Sequence, residues 1–253
     1  MTKPCYLARM LVMAKTVDLE VGGSTMRMLV TAPREGGRYP GIVVYSDIFQ
    51  LTGPQVRMST RLASYGFVVA TPEIWHRVEA PGSAIAFDDA GRTRGLENAK
   101  KTSVAEMDAD CRAALDWLTA DPRTTALGAM GFCIGGHLAL RAALQPDVRA
   151  AACFYPTGVH DGALGSDADA GTLARLREIT GELLLVFGAR DPHVPAEGRS
   201  TIEAALVAAT TRHETKLFDA EHAFMRDEGP RWDPAASDEA FACAIRFLRA
   251  SAR

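Results

Sequence analysis

Short apolar runs alternate with longer amphipathic stretches along most of the chain. Residues 41–45 (GIVVY), 67–71 (FVVAT) and 182–188 (ELLLVFG) contain almost no polar alternation. Such runs are typical of strands that are buried on both faces of a parallel sheet. Between them lie stretches with helical spacing, of which residues 101–120 are the longest. Short strands that alternate with helices predict an α/β protein, with a mostly parallel central sheet and helices on both faces.

The first part of the chain has a different pattern. Residues 17–21 and 25–31 flank Gly22-Gly23, which predicts a β-hairpin at an antiparallel edge of the sheet. Residues 1–16 contain an apolar run too short for a membrane span, and we expect them to form an N-terminal extension. Residues 17–253 are then a single domain, in which the polar, glycine-containing segment 81–98 is expected to be an irregular surface excursion.

Composition and charge exclude several classes of function. The 253 residues carry a net charge of −3, so the chain lacks the basic footprint of a nucleic-acid-binding protein. Five cysteines form neither a C-x-x-C pair nor the Cys/His spacing of a zinc site. We therefore expect reduced thiols, a cytoplasmic location, no metal, and neither nucleic acid nor membrane as a partner.

The most informative motif is the segment 131–136 (GFCIGG), which follows a predicted strand and precedes a predicted helix. It matches the G-x-nucleophile-x-G pattern of a nucleophile elbow, with Cys133 in place of the usual serine. The glycines leave room for a tight turn, and the helix N-terminus favours negative charge on the sulfur. The alternative is a glycine-rich turn that contains a buried structural cysteine.

Two later residues are the expected partners of Cys133. Asp191 follows the run 183–187, and His222 follows the run 215–218, so both are expected at the carboxyl ends of strands. Taken singly, Asp191 could cap the helix near Pro195 and His222 could be a surface residue. The order nucleophile, acid, base is nevertheless the one used by this type of fold, which predicts a triad with His222 as base and Asp191 orienting it.

An oxyanion hole requires two backbone N–H groups that point at the developing negative charge. Ile134 directly follows the nucleophile and supplies one candidate. Ile48, in the loop after the run 41–45, supplies the other.

Several of these segments together resemble one family, the dienelactone hydrolases (carboxymethylenebutenolidases) of the α/β-hydrolase superfamily. The resemblance extends over roughly residues 17–248. It rests on five motifs: Asp47-Ile48-Phe49, residues 72–77 (PEIWHR), residues 131–136 with Cys133, Gly188…Asp191…Val194-Pro195, and His222-Ala223-Phe224. The resemblance implies an α/β-hydrolase fold with an N-terminal antiparallel edge hairpin.

The resemblance also implies roles for residues around the nucleophile. The family has glutamate at the position of Asp47, and that carboxylate is thought to interact with the resting thiol. Asp47 is one methylene shorter, so a water or a shifted loop would have to bridge it to Cys133. Alternatively, Asp47 bonds to amides of its own loop.

Substrate-binding residues are implied in the same way. Arg226 matches a family arginine that holds a substrate carboxylate, with a solvated surface arginine as the alternative. Arg94, or its neighbour Arg92, matches a second such arginine, although the aromatic residues expected after it are absent from residues 96–102. Trp75 and His76 could line the pocket, and packing is an equal alternative for Trp75.

The sequence thus predicts hydrolysis of a small ester or lactone, dienelactone-like and carboxylate-bearing, through a thioacyl intermediate on Cys133. The alternatives are a general carboxylesterase or thioesterase with the same triad, or a non-catalytic binding protein with this fold. The triad requires no cofactor. A small-molecule substrate is the expected partner, and both a monomer and a homodimer remain open.

Overall fold

The structure, a computed structural model, describes residues 10–251. Eight strands form one sheet in the order β1-β2-β4-β3-β5-β6-β7-β8. The strands are β1 (Val12–Val21), β2 (Ser24–Pro33), β3 (Tyr39–Tyr45), β4 (Val68–Pro72), β5 (Thr124–Phe132), β6 (Val148–Phe154), β7 (Glu182–Gly188) and β8 (His213–Phe218). β1 and β2 are antiparallel, β2 is antiparallel to β4, and the other neighbours are parallel. The expected mostly parallel sheet with an antiparallel edge hairpin is therefore confirmed.

Helices cover both faces of the sheet. They are α1 (Gly53–Ala63), α2 (Asp89–Lys100), α3 (Val104–Ala120), α4 (Ile134–Ala142), α5 (Thr172–Arg175), α6 (Ala196–Ala208) and α7 (Pro234–Ser251). Consecutive residues of β3 face opposite cores: Ile42 and Val44 pack with α1 and α7, whereas Val43 and Tyr45 pack with α3 and α4. This two-sided burial explains why β3 has no polar alternation in its sequence.

The first strand begins at Val12, inside the segment expected to be an extension. It pairs with β2 along its whole length, from Val12 opposite Pro33 to Val21 opposite Ser24. The exposed outer face of this edge strand gives residues 12–16 little apolar periodicity, so the sequence alone does not reveal it. The remainder of that expected extension, residues 1–9, lies outside the described residues.

The expectation of an irregular segment over residues 81–98 is wrong in its second half, which forms α2. Asp88 caps this helix by accepting the Gly91 N–H at 2.7 Å. A Cβ atom at Gly95 would lie 2.6 Å from the Ile48 carbonyl oxygen. Gly95 therefore allows α2 to pack against the loop after β3, although the sequence pattern indicated a loop. Within residues 10–251, no helix is long and apolar enough to cross a bilayer.

Candidate active site

Cys133 lies at the sharp turn between β5, which ends at Phe132, and α4, which begins at Ile134. Its backbone has φ 60° and ψ −123°, a conformation that non-glycine residues rarely adopt. This geometry is that of a nucleophile elbow, in which the turn lifts the side chain above the sheet. Cys133 is partly exposed, whereas Cys111 and Cys153 are buried.

The glycines of the elbow are required by close backbone contacts. A Cβ atom at Gly131 would collide with the Gly135 carbonyl oxygen, and one at Gly136 would lie 2.6 Å from the Phe154 oxygen. At Gly135 a Cβ atom would lie 2.6 Å from the Tyr45 oxygen. The start of α4 can therefore approach the ends of β3 and β6 closely only because these positions lack side chains.

The structure brings Cys133, His222 and Asp191 together from three loops at the carboxyl ends of strands. At one end of its ring, His222 interacts with the side chain of Cys133. At the other end, its Nδ1 donates to Asp191 Oδ2 at 2.7 Å, and the Asp191 side chain is fully buried. Asp191 Oδ1 accepts the His193 N–H at 2.8 Å, which fixes the carboxylate.

The electrostatics of the three groups favour a charged imidazole. Burial by itself lowers the pKa of His222, but the charge of Cys133 and the hydrogen bond with Asp191 outweigh it and raise the pKa to about 9. Burial acts to raise the pKa of Asp191, yet the hydrogen bond and charge of His222 bring it below its ordinary value. The arrangement therefore favours a protonated His222 ring beside Cys133, with the Asp191 carboxylate stabilising the positive charge.

Two backbone N–H groups are available near the elbow. Ile134 is the first residue of α4, where N–H groups have no partner within the helix. Neither the Ile134 nor the Ile48 N–H has an acceptor among residues 10–251. Both groups are thus unoccupied hydrogen-bond donors within the described residues.

Trp75 packs against the loop that contains Ile48, and its side chain is not accessible to a ligand. Its ring is completely buried, and its Nε1 donates to the Ile48 carbonyl at 3.0 Å. Its backbone N–H donates to Gln50 Oε1 at 2.8 Å. The sequence left pocket lining and packing open for Trp75, and its full burial favours packing.

His76 and Arg94 also have partners other than a substrate pocket. His76 is buried, with Nε2 3.1 Å from Asp110 Oδ2 and Nδ1 2.9 Å from Ser24 Oγ. Arg94 forms a two-pronged ion pair with the buried carboxylate of Glu79. In this structure, the side chains of both residues are therefore paired with carboxylates of the protein, His76 with Asp110 and Arg94 with Glu79.

Asp47 and Arg226 form an ion pair beside the elbow. Arg226 Nη1 lies 3.2 Å from Asp47 Oδ2, and Asp47 Oδ1 accepts the Phe49 N–H at 3.0 Å. Burial raises the pKa of Asp47 above its ordinary value, despite the opposing effects of Arg226 and the Phe49 N–H. Both oxygens of Asp47 are thus engaged with its own loop and with Arg226 rather than with Cys133.

Arg226 is further held by aromatic rings and lines a cavity. Its guanidinium carbon lies 4.4 Å from the ring centre of Phe87 and 5.2 Å from that of Phe49. The adjoining cavity has a volume of about 20 Å³, enough for about one water molecule. Its lining includes Asp47, Arg226 and Tyr155.

Sequence reasoning missed two residues that contact His222. The buried ring of Tyr155 lies 5.0 Å from the His222 ring, and burial, with the charges of Asp47 and Cys133, raises the pKa of its phenol. His193 lies 4.7 Å from His222 at an angle of 70°. Tyr155 directly follows β6, and His193 lies two residues after Asp191. These positions are the only features of the sequence that could have identified them.

Comparison with known proteins gives consistent results. The dienelactone hydrolase family model matches residues 26–252. The "Putative carboxymethylenebutenolidase" of Saccharomyces cerevisiae is 36% identical over 216 residues, covering 81% of this chain and 79% of that protein. The carboxymethylenebutenolidase of Pseudomonas sp. strain P51 is 27% identical and covers 95% of this chain and 96% of its own length.

Solved structures agree on the fold. The crystal structure of a "Putative Dienelactone Hydrolase" from Klebsiella pneumoniae has a TM-score of 0.83 at 23% identity, covering 94% of this chain and 99% of that one. At this identity the likeness concerns the fold alone, whereas the family match spans nearly the whole sequence. The chain is a hydrolase that belongs to the dienelactone hydrolase family.

Proposed function

We propose that this hydrolase cleaves a small ester or lactone through a thioacyl intermediate on Cys133. The observation that carries the proposal is the continuous set of contacts from Cys133 to His222 and from His222 Nδ1 to Asp191, 2.7 Å apart. A thiol at a strained turn, a base and a buried carboxylate are the parts that nucleophilic acyl transfer requires.

In the first half-reaction, the sulfur of Cys133 attacks the substrate carbonyl and forms a C–S bond. His222 holds the proton that left the thiol, and Asp191 stabilises the resulting imidazolium. The carbonyl oxygen gains negative charge, which the N–H groups of Ile134 and Ile48 bind. His222 then donates its proton to the leaving oxygen, so the C–O bond breaks and a thioester remains on Cys133.

In the second half-reaction, water attacks the thioester. His222 accepts a proton from that water, and the same two N–H groups bind the second oxyanion. The C–S bond breaks, the acid leaves and the proton returns to the Cys133–His222 pair. In a lactone, the alcohol and the acid belong to one molecule, so a single ring-opened product leaves at this point.

The surroundings of Arg226 support a substrate that carries a carboxylate. Arg226 and Asp47 line the small cavity, and burial already raises the pKa of Asp47. A substrate carboxylate can replace Asp47 as the partner of the guanidinium fork, which suits two carboxylate oxygens. The relatives named carboxymethylenebutenolidases are consistent with such a substrate.

Selective alkylation and mutation of Cys133 test the proposal. Iodoacetamide is expected to modify Cys133 first and abolish hydrolysis of both a dienelactone and p-nitrophenyl acetate. Cys133→Ala is expected to have no activity. Cys133→Ser is expected to keep only a small fraction of the wild-type activity, because a serine hydroxyl loses its proton to His222 less readily than a thiol does. Cys243→Ala, which removes a partly exposed cysteine on α7, is the matched control and is expected to remain active.

The outcomes separate the parts of the proposal. Turnover by Cys133→Ala would contradict the triad. Full activity of Cys133→Ser would contradict the thiol mechanism. Hydrolysis of the aryl ester without the lactone would contradict only the lactone substrate and would indicate a general carboxylesterase.

A further inference from the structure

Thr157, in the loop after β6, touches Cys133 through both backbone and side chain. Its N–H donates to the Cys133 carbonyl at 3.2 Å. Its Oγ1 lies 3.9 Å from Cys133 Sγ, at the outer limit of a hydrogen bond to sulfur. Sulfur is the only hydrogen-bond partner of this hydroxyl within residues 10–251. The hydroxyl therefore has no competing role that would turn it away from the nucleophile.

Thr157 is itself fixed by a buried histidine. His137, on α4, lies with Nδ1 3.0 Å from the Thr157 carbonyl oxygen and with Nε2 2.8 Å from Thr172 Oγ1. A carbonyl oxygen can only accept, so the proton of the imidazole is on Nδ1, and Nε2 accepts the Thr172 O–H. Burial lowers the pKa of His137 to about 3, so the ring is neutral and keeps this tautomer.

Thr172 is held in turn by Arg141, which also lies on α4. Arg141 Nη1 donates to Thr172 Oγ1 at 2.9 Å and to the Ala170 carbonyl at 2.8 Å. Asp108 holds the same guanidinium through two hydrogen bonds, at 2.9 and 2.6 Å. Every donor therefore points in one direction, from Arg141 through Thr172 and His137 to Thr157.

This chain of hydrogen bonds begins on α4, the helix that follows the nucleophile, and ends at Thr157 in the loop after β6. His137 and Arg141 are four residues apart on α4, and Cys133 immediately precedes that helix. Their bonds reach the loop after β6 and position Thr157 against the elbow. The other titratable groups that face the sulfur are His222, from the loop after β8, and Tyr155, from the end of β6.

We propose that Thr157 is a positioning residue for Cys133, whose hydroxyl donates a hydrogen bond to the negative sulfur and keeps it directed at His222. The inference rests on the proposed function of Cys133 as nucleophile. No bond to Thr157 forms or breaks in the reaction. The hydroxyl stabilises the resting ion pair, and its bond weakens when acylation removes the negative charge from the sulfur.

Thr157→Val and Thr157→Ser provide the test, because valine keeps the shape and serine keeps the hydroxyl. The readouts are the pH dependence of Cys133 alkylation by iodoacetamide and the rate of the acylation burst with p-nitrophenyl acetate. In the valine variant we expect the midpoint of the alkylation profile to rise by about half a pH unit. We expect acylation to slow by about three- to tenfold with KM unchanged, because the sulfur is no longer held in the orientation for attack.

The serine variant is expected to restore both readouts to within about twofold. Thr201→Val, on the exposed face of α6, is the matched control for a lost threonine hydroxyl and is expected to behave as the wild type. Thr172→Val, which removes the O–H donated to His137, is expected to shift the alkylation profile in the same direction. A wild-type profile in Thr157→Val would overturn the inference, and so would a serine variant that behaves as the valine variant.

Failure of this inference differs from failure of the proposed function. If Cys133→Ala is inactive while Thr157→Val matches the wild type, the triad holds and only the role of Thr157 is refuted. If Cys133→Ala still hydrolyses the ester, the nucleophile is wrong, and the role assigned to Thr157 is refuted with it.

Discussion

Asp191→Asn removes the charge of a carboxylate that has two donors. Oδ2 accepts His222 Nδ1 at 2.7 Å, and Oδ1 accepts the His193 N–H at 2.8 Å. Asparagine has one oxygen for these two donors, so its NH₂ group must face one of them. If NH₂ faces His222, the imidazole proton moves to Nε2, and the ring can no longer accept the thiol proton from Cys133. If NH₂ faces His193, two donors meet in a buried position.

The size of the effect follows from these contacts. A hydrogen bond to a charged group contributes about 1.5–3 kcal/mol, which corresponds to about a 10- to 150-fold change in rate. The wrong tautomer adds to this loss, because it removes the base from most molecules. We therefore expect kcat to fall by about 10²- to 10⁴-fold. KM is expected to change little, because the Asp191 side chain is fully buried and cannot touch a substrate.

Steady-state hydrolysis of p-nitrophenyl acetate, together with circular dichroism to verify folding, measures this effect. Asp219→Asn is the matched control, since Asp219 is exposed and its ion pair with Arg190 lies at the surface. We expect the control to keep its kcat within about twofold, as surface ion pairs contribute little. A folded Asp191→Asn variant with more than about a third of the wild-type kcat would refute the role assigned to the carboxylate.

Three further predictions concern pH, the elbow and the substrate. Because the pKa of His222 is raised to about 9, the protonated ring persists well above its ordinary range, and kcat/KM is expected to fall as pH rises through about 9; a pH–rate profile without an alkaline limb there would contradict this. Gly135→Ala is expected to lower the free energy of unfolding by about 1–3 kcal/mol in thermal denaturation, whereas Gly36→Ala, with open space at its Cβ position, should be neutral. Arg226→Lys is expected to raise KM for a carboxylate-bearing ester by about tenfold and leave that of a neutral ester nearly unchanged, because lysine lacks the guanidinium fork; equal effects on both esters would exclude a carboxylate contact.

The elbow and the sheet could be predicted because their signals are local. A strand, a tight turn and a helix follow one another around Cys133, and the glycines between them are visible in the sequence. The order of Asp191 and His222 after predicted strands also needs no knowledge of tertiary contacts. The bounds of β7 match the predicted run, since a strand buried on both faces has an uninterrupted apolar sequence.

Contacts between distant segments could not be predicted in the same way. Trp75 and Arg94 lie close in sequence to residues that suit a pocket, but their partners are the Ile48 carbonyl and the Glu79 carboxylate. Glycine in α2 was misleading for a related reason. Gly95 indicates a loop when only local propensity is considered, yet it is required for the helix to approach the backbone of Ile48.

The strand that leads to the base lies at the border of the sheet. β8 pairs only with β7 among the described strands, and all six of its residues are exposed or half-buried. His222 is the fourth residue after Phe218, the last residue of β8. Peripheral strands open at lower free energy than central ones. On warming, we therefore expect β8 to separate from β7 before the other seven strands come apart, so that activity is lost at a lower temperature than the circular dichroism signal.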